Sequence, residues 1–524
     1  MSFVRSLMHF ILTAIGLVMN PILRLIFSLI YDGKARCVPK VTDDLCLKPV
    51  MELADLIRNR KVKAVDVMEA FINRTKEVNP MLNFVVKDRF DEAIREAEHV
   101  DEILDRGNLE EKYSKSNAPL LGVPLSVKEA FALKGMPNTS GLVSKKGQTV
   151  DYDAAVVTIL KKAGAIPYMV TNVSELCMWY ESANRLNGRT KNPYNTGRIV
   201  GGSSGGEGCA IASGSAVMGI GSDIGGSIRM PAFFNGIFGH RPSKGLVPNE
   251  GQFPICTGTD IDLLSTGPMC RYASDLLPLL KIYAGSKSVD AKLDEVVDVK
   301  KLKIYTMPDD GGSLFVSPVD SELRAAQDRV VTHFREKLGV PVQDINIGKF
   351  KYSVEIWSAR MSTAGGNSFA MEMANGNGEV NCFKEFLKWM VGKSPHTLPA
   401  IGLGLLEKVA DLDKSSNEIF IKMLEKLDKE LRELLGNDGV LLYPSHPKIA
   451  PYHNEALFYP FNFGYTGIFN ALGYPVSQCP LGLSKKKLPL GLQVVGSMNN
   501  DRLTIAVANE IEKAFGGWVS PGSS

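Results

Sequence analysis

The chain has 524 residues, 44% of them hydrophobic and 22% charged, proportions that supply an ample core and exclude a disordered or fibrous protein. Lys and Arg total 60 against 57 Asp and Glu, for a formal net charge of +3. That near balance, with 485–487 as a single short basic run, lacks the electrostatic footprint of a nucleic-acid binder. The eight cysteines stand without CxxC pairs or close histidine partners, so no zinc pattern is read. Cys177, Cys209 and Cys479 fall in apolar or Gly-rich segments and read as buried free thiols, which suits a compartment where thiols stay reduced.

Residues 1–40 differ in kind from the body over 41–524. Leu7–Met19 is apolar apart from His9, Asn20-Pro21 interrupts, and Ile22–Tyr31 is again mostly apolar apart from Arg24. Leu7 to Ile30 is long enough to cross a bilayer, although Pro21 and Arg24 would stand at an awkward depth. The segment therefore reads as an N-terminal membrane anchor helix, either one tilted span or a hairpin turning at Asn20-Pro21. Lys34, Arg36 and Lys40 follow it, whereas only Arg5 precedes it, which puts the body on the cytoplasmic side. The surface expected is that of the endoplasmic reticulum or of a lipid droplet.

From Met51 to Leu104 apolar residues recur at helical spacing, with Asn79-Pro80 predicted to break the run. Val123, Leu125 and Val127 alternate with Pro124, Ser126 and Lys128, a strand that delivers Lys128 near its end. Ala154–Ala163 reads as a helix with Asp153 as N-cap and Gly164 as its stop. Strands are expected at Ile166–Val170, Ala216–Ile220, Lys303–Tyr305 and Val440–Tyr443, and helices at Ile228–Phe234 and Ser321–Leu338. Alternating strands and helices argue an α/β architecture with a largely covered sheet. Phe383–Leu406 mixes Phe386, Leu387, Trp389 and Met390 with Lys384, Lys388 and Lys393. It reads equally as a core helical hairpin or as an interfacial membrane cap.

Between Gly201 and Arg229 the chain runs GGSSGGEGCAIASGSAVMGIGSDIGGSIR. Ser203 and Ser227 each follow a glycine pair, and no histidine lies in the stretch. Glycine pairs let backbone N–H groups approach a substrate closely, as an oxyanion hole requires. A serine there needs a base, and Lys128 is the local candidate, since Ser–Lys pairs are a known solution to acyl transfer. The N–H groups of Ile224, Gly225, Gly226 and Ser227 are the expected oxyanion donors, with Asp223 and Arg229 holding the loop in shape. GGSSG also satisfies the G-x-S-x-G elbow, which would make Ser203 the nucleophile and enlist one of His240, His333, His396, His446 or His453. That alternative leaves Lys128 and DIGGS unexplained.

GVPLSVKEAF (Gly122–Phe131), KGMPNTSG, TNVSE, GGSSGGEG, GSDIGGSIRMPAFFNGIFGHRPSKG and NALGYPVSQCPLG appear in order from Met51 to the end. In these motifs the chain resembles the amidase signature family and, within it, the fatty-acid amide hydrolases, their type-2 branch above all. The resemblance implies that family's fold over 41–524, with a mixed central sheet covered by helices on both faces. It also implies Ser227 as the nucleophile that forms an acyl-enzyme, Ser203 as a bridging serine preceded by a cis peptide, and Lys128 as the base. Most members carry Lys-Asp-Asn where this chain has Lys128-Glu129-Ala130, a departure that bears on substrate preference more than on catalysis.

The implied reaction is hydrolysis of long-chain fatty-acid amides, primary amides and N-acylethanolamines, to fatty acid plus ammonia or amine. Leu176, Cys177, Met178 and Trp179 are the candidates for an acyl channel. The partners expected are the lipid amide and a membrane or lipid-droplet surface; homodimerisation stays open, and no cofactor or metal is called for. Two alternatives remain at this point: an amidase of short soluble amides, and a tRNA-dependent amidotransferase subunit.

Overall fold

The computed structural model describes residues 19, 21–107, 110–410 and 414–523. Most of the expected anchor, residues 1–18 and 20, lies outside the described residues, so its span or hairpin form does too. Among the described residues no helix is long and apolar enough to cross a membrane. Residues 21–31 are helical and rest on the body through Phe27, which is buried and stacks on Tyr452 with ring centroids 6.2 Å apart. Ile22, Leu25, Ile26, Leu29 and Ile30 stay exposed.

Among the described residues, eleven strands form one mixed sheet and two more a small hairpin. In chain order they begin with β1 (Val85–Asp88), β2 (Pro124–Lys128), β3 (Ile166–Thr171), β4 (Ala183–Asn184), β5 (Gly188–Arg189) and β6 (Met218–Asp223). Next come β7 (Phe238–Arg241), β8 (Ser265–Cys270), β9 (Lys303–Thr306) and β10 (Val342–Asp344). The last are β11 (Gly439–Tyr443), β12 (Val476–Leu483) and β13 (Pro489–Gly496). The large sheet has the order β1-β3-β2-β6-β8-β7-β12-β13-β11-β9-β10. β2 is parallel to β3 and β6, and β9 is parallel to β10 and β11. The pairs from β6 across to β11 are antiparallel.

β2, β3 and β6 are buried at every residue, which is how strands behave when helices cover both faces of a sheet. The alternation read in 123–128 is therefore one of residue type and not of exposure: Ser126 and Lys128 are as buried as Leu125 and Val127.

Two local expectations change. Asn79-Pro80 does not break the helix, which runs Ala64–Leu82 with Pro80 inside its last turn. The turn ends on Asn83 in the left-handed region, and Asn79 Oδ1 accepts from the N–H groups of Phe84 and Val85 as the chain enters β1. The helix Ala155–Lys162 is capped by Ala154 without a side-chain bond. Asp153 instead accepts from the Lys134 N–H and pairs with Lys161. Phe383–Leu406 spans two helices, Cys382–Met390 and Leu398–Ala410. Their inner face meets a satellite apolar cluster that includes Leu176, Cys382, Ala400 and Ile401.

Candidate active site

Two parallel neighbours create the site. β2 ends at Lys128 and β6 at Asp223, in the register Ser126 to Gly219 and Val127 to Ile220. Their carboxyl ends therefore lie side by side, where open α/β sheets bind ligands. Lys128 exposes none of its surface. Its Nζ donates to Ser203 Oγ at 2.7 Å and to Ser222 Oγ at 2.8 Å. Burial pulls the ammonium below the ordinary lysine range, against the opposing carboxylates of Asp223 and Glu207. The peptide Gly202–Ser203 is cis.

Ser203, Ser222 and Ser227 line one cavity, together with Leu176, Cys177 and Met178. Among the described residues no histidine lines it. His446, in YPSHP, sits against Phe234 and Tyr180 and is pushed down to about 4 by burial. His240 bonds Asp501 and Ser477, and His453 bonds Glu181. His333 bonds Glu510, and His396 bonds Glu175. The G-x-S-x-G alternative thus finds Ser203 on a lysine instead of a histidine.

The loop before Ser227 is organised by Asp223. Arg229 and Asp223 form a pair with no exposed side-chain surface, joined at 2.9 Å between Nη2 and Oδ1 and 3.0 Å between Nε and Oδ2. The same carboxylate accepts from the N–H groups of Gly226, Ile228 and Arg229. The arginine holds it well below the usual carboxylate range. Asn470 reaches Asp223 and Arg229 alike, and Gln493 accepts from Arg229.

One sequence expectation is corrected here. The Gly226 N–H donates to Asp223 Oδ1 at 2.7 Å, so it is not an oxyanion donor in this arrangement. The helix after Ser227, Arg229–Phe234, likewise turns its first N–H groups to Asp223 and not to the serine. A buried, ionised carboxylate on the preceding strand outcompetes a neutral hydroxyl for those donors.

Ile224, Gly225 and Ser227 keep N–H groups without a protein acceptor among the described residues. Trp357 Nε1 donates to the Ile224 carbonyl at 2.9 Å and Thr466 Oγ1 to the Gly225 carbonyl at 2.7 Å. In a trans peptide the N–H points opposite the carbonyl, so the Trp357 bond turns the Gly225 N–H to the other side. Gly226 has φ +127, and a Cβ there would stand 2.1 Å from Thr466 Oγ1. No side chain fits.

Two buried glutamates back the lysine. Glu129 accepts from the Thr139 N–H and hydroxyl and the Ser140 N–H, each at 2.7 Å. In place of the Lys-Asp-Asn pattern, it braces the Thr139–Ser140 turn from behind. Glu207 takes bonds from Ser126 and Thr171 at 2.5 and 2.7 Å. A Cβ on Gly219 would collide with its Oε2. Burial pushes both carboxyls up to about 7.

Trp179 is not at the cavity. Its ring packs 4.9 Å from that of Tyr180, against the main core. Cys177 is half-buried, where full burial was expected, whereas Cys209 and Cys479 are buried. Ser222, Glu207, Trp357 and Thr466 were missed. Ser222 and Glu207 lie inside the motifs, yet nothing in the sequence marks which small or acidic residue faces the lysine.

The amidase family model matches residues 66–505. The chain belongs to the amidase signature family. This amidase-family chain is 51% identical over 99% of both sequences to the human fatty-acid amide hydrolase 2. It is also 51% identical to fatty-acid amide hydrolase 2-B of Danio rerio, over 95% of each. Among solved structures, a fatty acid amide hydrolase superposes with a TM-score of 0.71 at 23% identity, covering 91% of this chain and 86% of that one. That last likeness speaks to the shared amidase fold.

Proposed function

We propose that this enzyme hydrolyses long-chain fatty-acid amides to the free acid and ammonia or amine, with Ser227 as nucleophile, Ser203 as proton bridge and Lys128 as base. The observation that carries it is the buried Lys128 Nζ, 2.7 Å from Ser203 Oγ, at a cavity that both serines line. The 51% identity to proteins named fatty-acid amide hydrolase 2 supports the substrate class.

Ser227 Oγ attacks the amide carbon, and its proton passes through Ser203 to neutral Lys128. The oxyanion rests on the N–H groups of Ile224, Gly225 and Ser227. The C–N bond then breaks, the proton returns through Ser203 to the leaving nitrogen, and an acyl ester stays on Ser227. Water cleaves that ester with the same base and restores the serine.

Leu176, Met178, Phe253 and Met361 give the cavity an apolar wall, suited to an acyl chain. Each buried methylene contributes about 0.8 kcal/mol, so four of them separate two substrates by about two hundredfold. Purified enzyme should therefore turn over oleamide with a kcat/KM at least about a hundredfold above that for acetamide. Equal values would sink the long-chain reading.

A membrane-bound body, at the endoplasmic reticulum or a lipid droplet and facing the cytoplasm, completes the reading. It is supported by exposed Leu25, Leu29, Phe383, Leu387 and Met390. The full chain should float with phosphatidylcholine vesicles in a density gradient. A Leu25→Asp, Leu29→Asp, Phe383→Asp, Leu387→Asp variant that floats as well as wild type would refute a role for these faces.

A further inference from the structure

The cavity wall at 176–178 is a turn that distant segments help to hold. Leu176 and Cys177 have φ of +53° and +59°, a conformation that costs a non-glycine residue on the order of 1 kcal/mol or more and persists only where surroundings impose it. Beyond the turn's own bond from the Cys177 N–H to the Ser174 carbonyl at 3.0 Å, one support is the Leu176 N–H, which donates to the Ser140 carbonyl at 2.8 Å. The other comes from more than two hundred residues away along the chain. Glu175, buried, sets Oε1 2.7 Å from His396 Nδ1 and accepts the Thr397 N–H on Oε2 at 2.7 Å.

His396 and Thr397 form the connection between the helices Cys382–Met390 and Leu398–Ala410. That connection is itself braced, because Ser394 Oγ donates to Glu385 Oε2 at 2.7 Å and accepts from the His396 N–H at 3.1 Å. The Leu176 side chain meanwhile packs among Met373, Cys382 and Ile401. The outer face of the same hairpin leaves Phe383, Leu387 and Met390 exposed. One carboxylate thus joins the left-handed turn that walls the cavity to a helical hairpin whose far side is apolar and open.

We propose that Glu175 and His396 are specificity-determining positioning residues: their bond locks the hairpin onto the cavity wall and shapes the part of the cavity that takes the acyl chain. This rests on the long-chain reading of that cavity. Neither residue lines the cavity, so they act through Leu176, Cys177 and Met178. Breaking the bond frees the turn to relax toward ordinary φ values and moves those three side chains, while Lys128 and Ser203 on the sheet stay in place.

The test is the ratio of kcat/KM for oleamide to that for acetamide in the full-length protein. His396→Ala and Glu175→Ala should each lower it about tenfold or more, mainly through KM for oleamide. Glu175→Gln, which keeps one acceptor for the Thr397 N–H, should restore most of it. Melting curves on each variant identify any that fails to fold, and His396→Ala then decides alone. An unchanged ratio in folded His396→Ala overturns the proposal, as does an equal loss on both substrates, the mark of a merely structural pair. A wild type without preference for oleamide overturns the long-chain reading itself and this proposal with it.

Discussion

Ser227→Ala protein is expected to lose at least about 10⁴-fold in kcat toward oleamide while melting within about 2 °C of wild type. The loss is large because no other group in the cavity carries both the position and the proton route of Ser227. In the proposed mechanism Ser203 and Lys128 only move the proton, whereas Ser227 forms the bond to the amide carbon, so its removal costs the most. The cost in stability is small, since the hydrogen bonds of the Lys128 ammonium run to Ser203 and Ser222 and stop short of Ser227. Removing Ser227 Oγ strands none of those buried donors.

The measurement that reads this directly is labelling by a fluorophosphonate followed by peptide mass analysis. Wild type and Lys128→Met should place any label on Ser227, and Ser227→Ala should take none. A label on the peptide that bears Ser203 would instead revive the nucleophile-elbow reading.

Lys128→Met should lower kcat by about 10²–10⁴-fold, the usual worth of a positioned general base, and should also change the shape of the pH profile. The sign follows from which form works. Burial disfavours the ammonium, so the folded-state pKa of Lys128 lies below the lysine value of 10.5. With the neutral amine as the proposed base, wild-type kcat/KM should rise with pH through that lowered pKa and fall off below it. Lys128→Met should lose this limb and show a flat residual rate across the same range. A variant that keeps the wild-type limb would exclude Lys128 as the base.

Stability should move the other way. A buried group with a lowered lysine pKa destabilises the fold most at low pH, where the ammonium must be accommodated, and the penalty fades as pH rises through the folded pKa toward the unfolded one. Methionine of similar volume removes it, at the expense of the hydrogen bonds to Ser203 and Ser222. The melting temperature of Lys128→Met near neutral pH should therefore match or exceed that of wild type.

How much of the site was legible depends on how local each part is. Ser203 and Ser227 behind their glycine pairs, Lys128 at a strand end, and the Asp223–Arg229 pair six residues apart all report on backbone within a few residues. Short-range sterics suffice to read them, and the α/β rhythm follows from hydrophobic periodicity in the same way. The expectation of no nucleic-acid partner rests on composition and charge alone.

What tertiary structure decided concerns direction. Ser222 meets Lys128 because β6 runs parallel to β2 in one particular register, and a slip by one residue would face it away. The Gly226 N–H turns to Asp223 while Thr466 holds the carbonyl of the same peptide, and Trp357 sets the Gly225 N–H, both from segments over a hundred residues distant. Trp179 faces the core although its neighbours Leu176–Met178 line the cavity, because left-handed residues at 176 and 177 redirect the chain just before it. Residue types and their spacing thus singled out Lys128, Ser203 and Ser227 as candidates, and the resemblance to the amidase signature family supplied the role proposed for each. Which N–H, hydroxyl or ring points at the reacting carbon was decided by competition among buried partners brought together from distant parts of the chain.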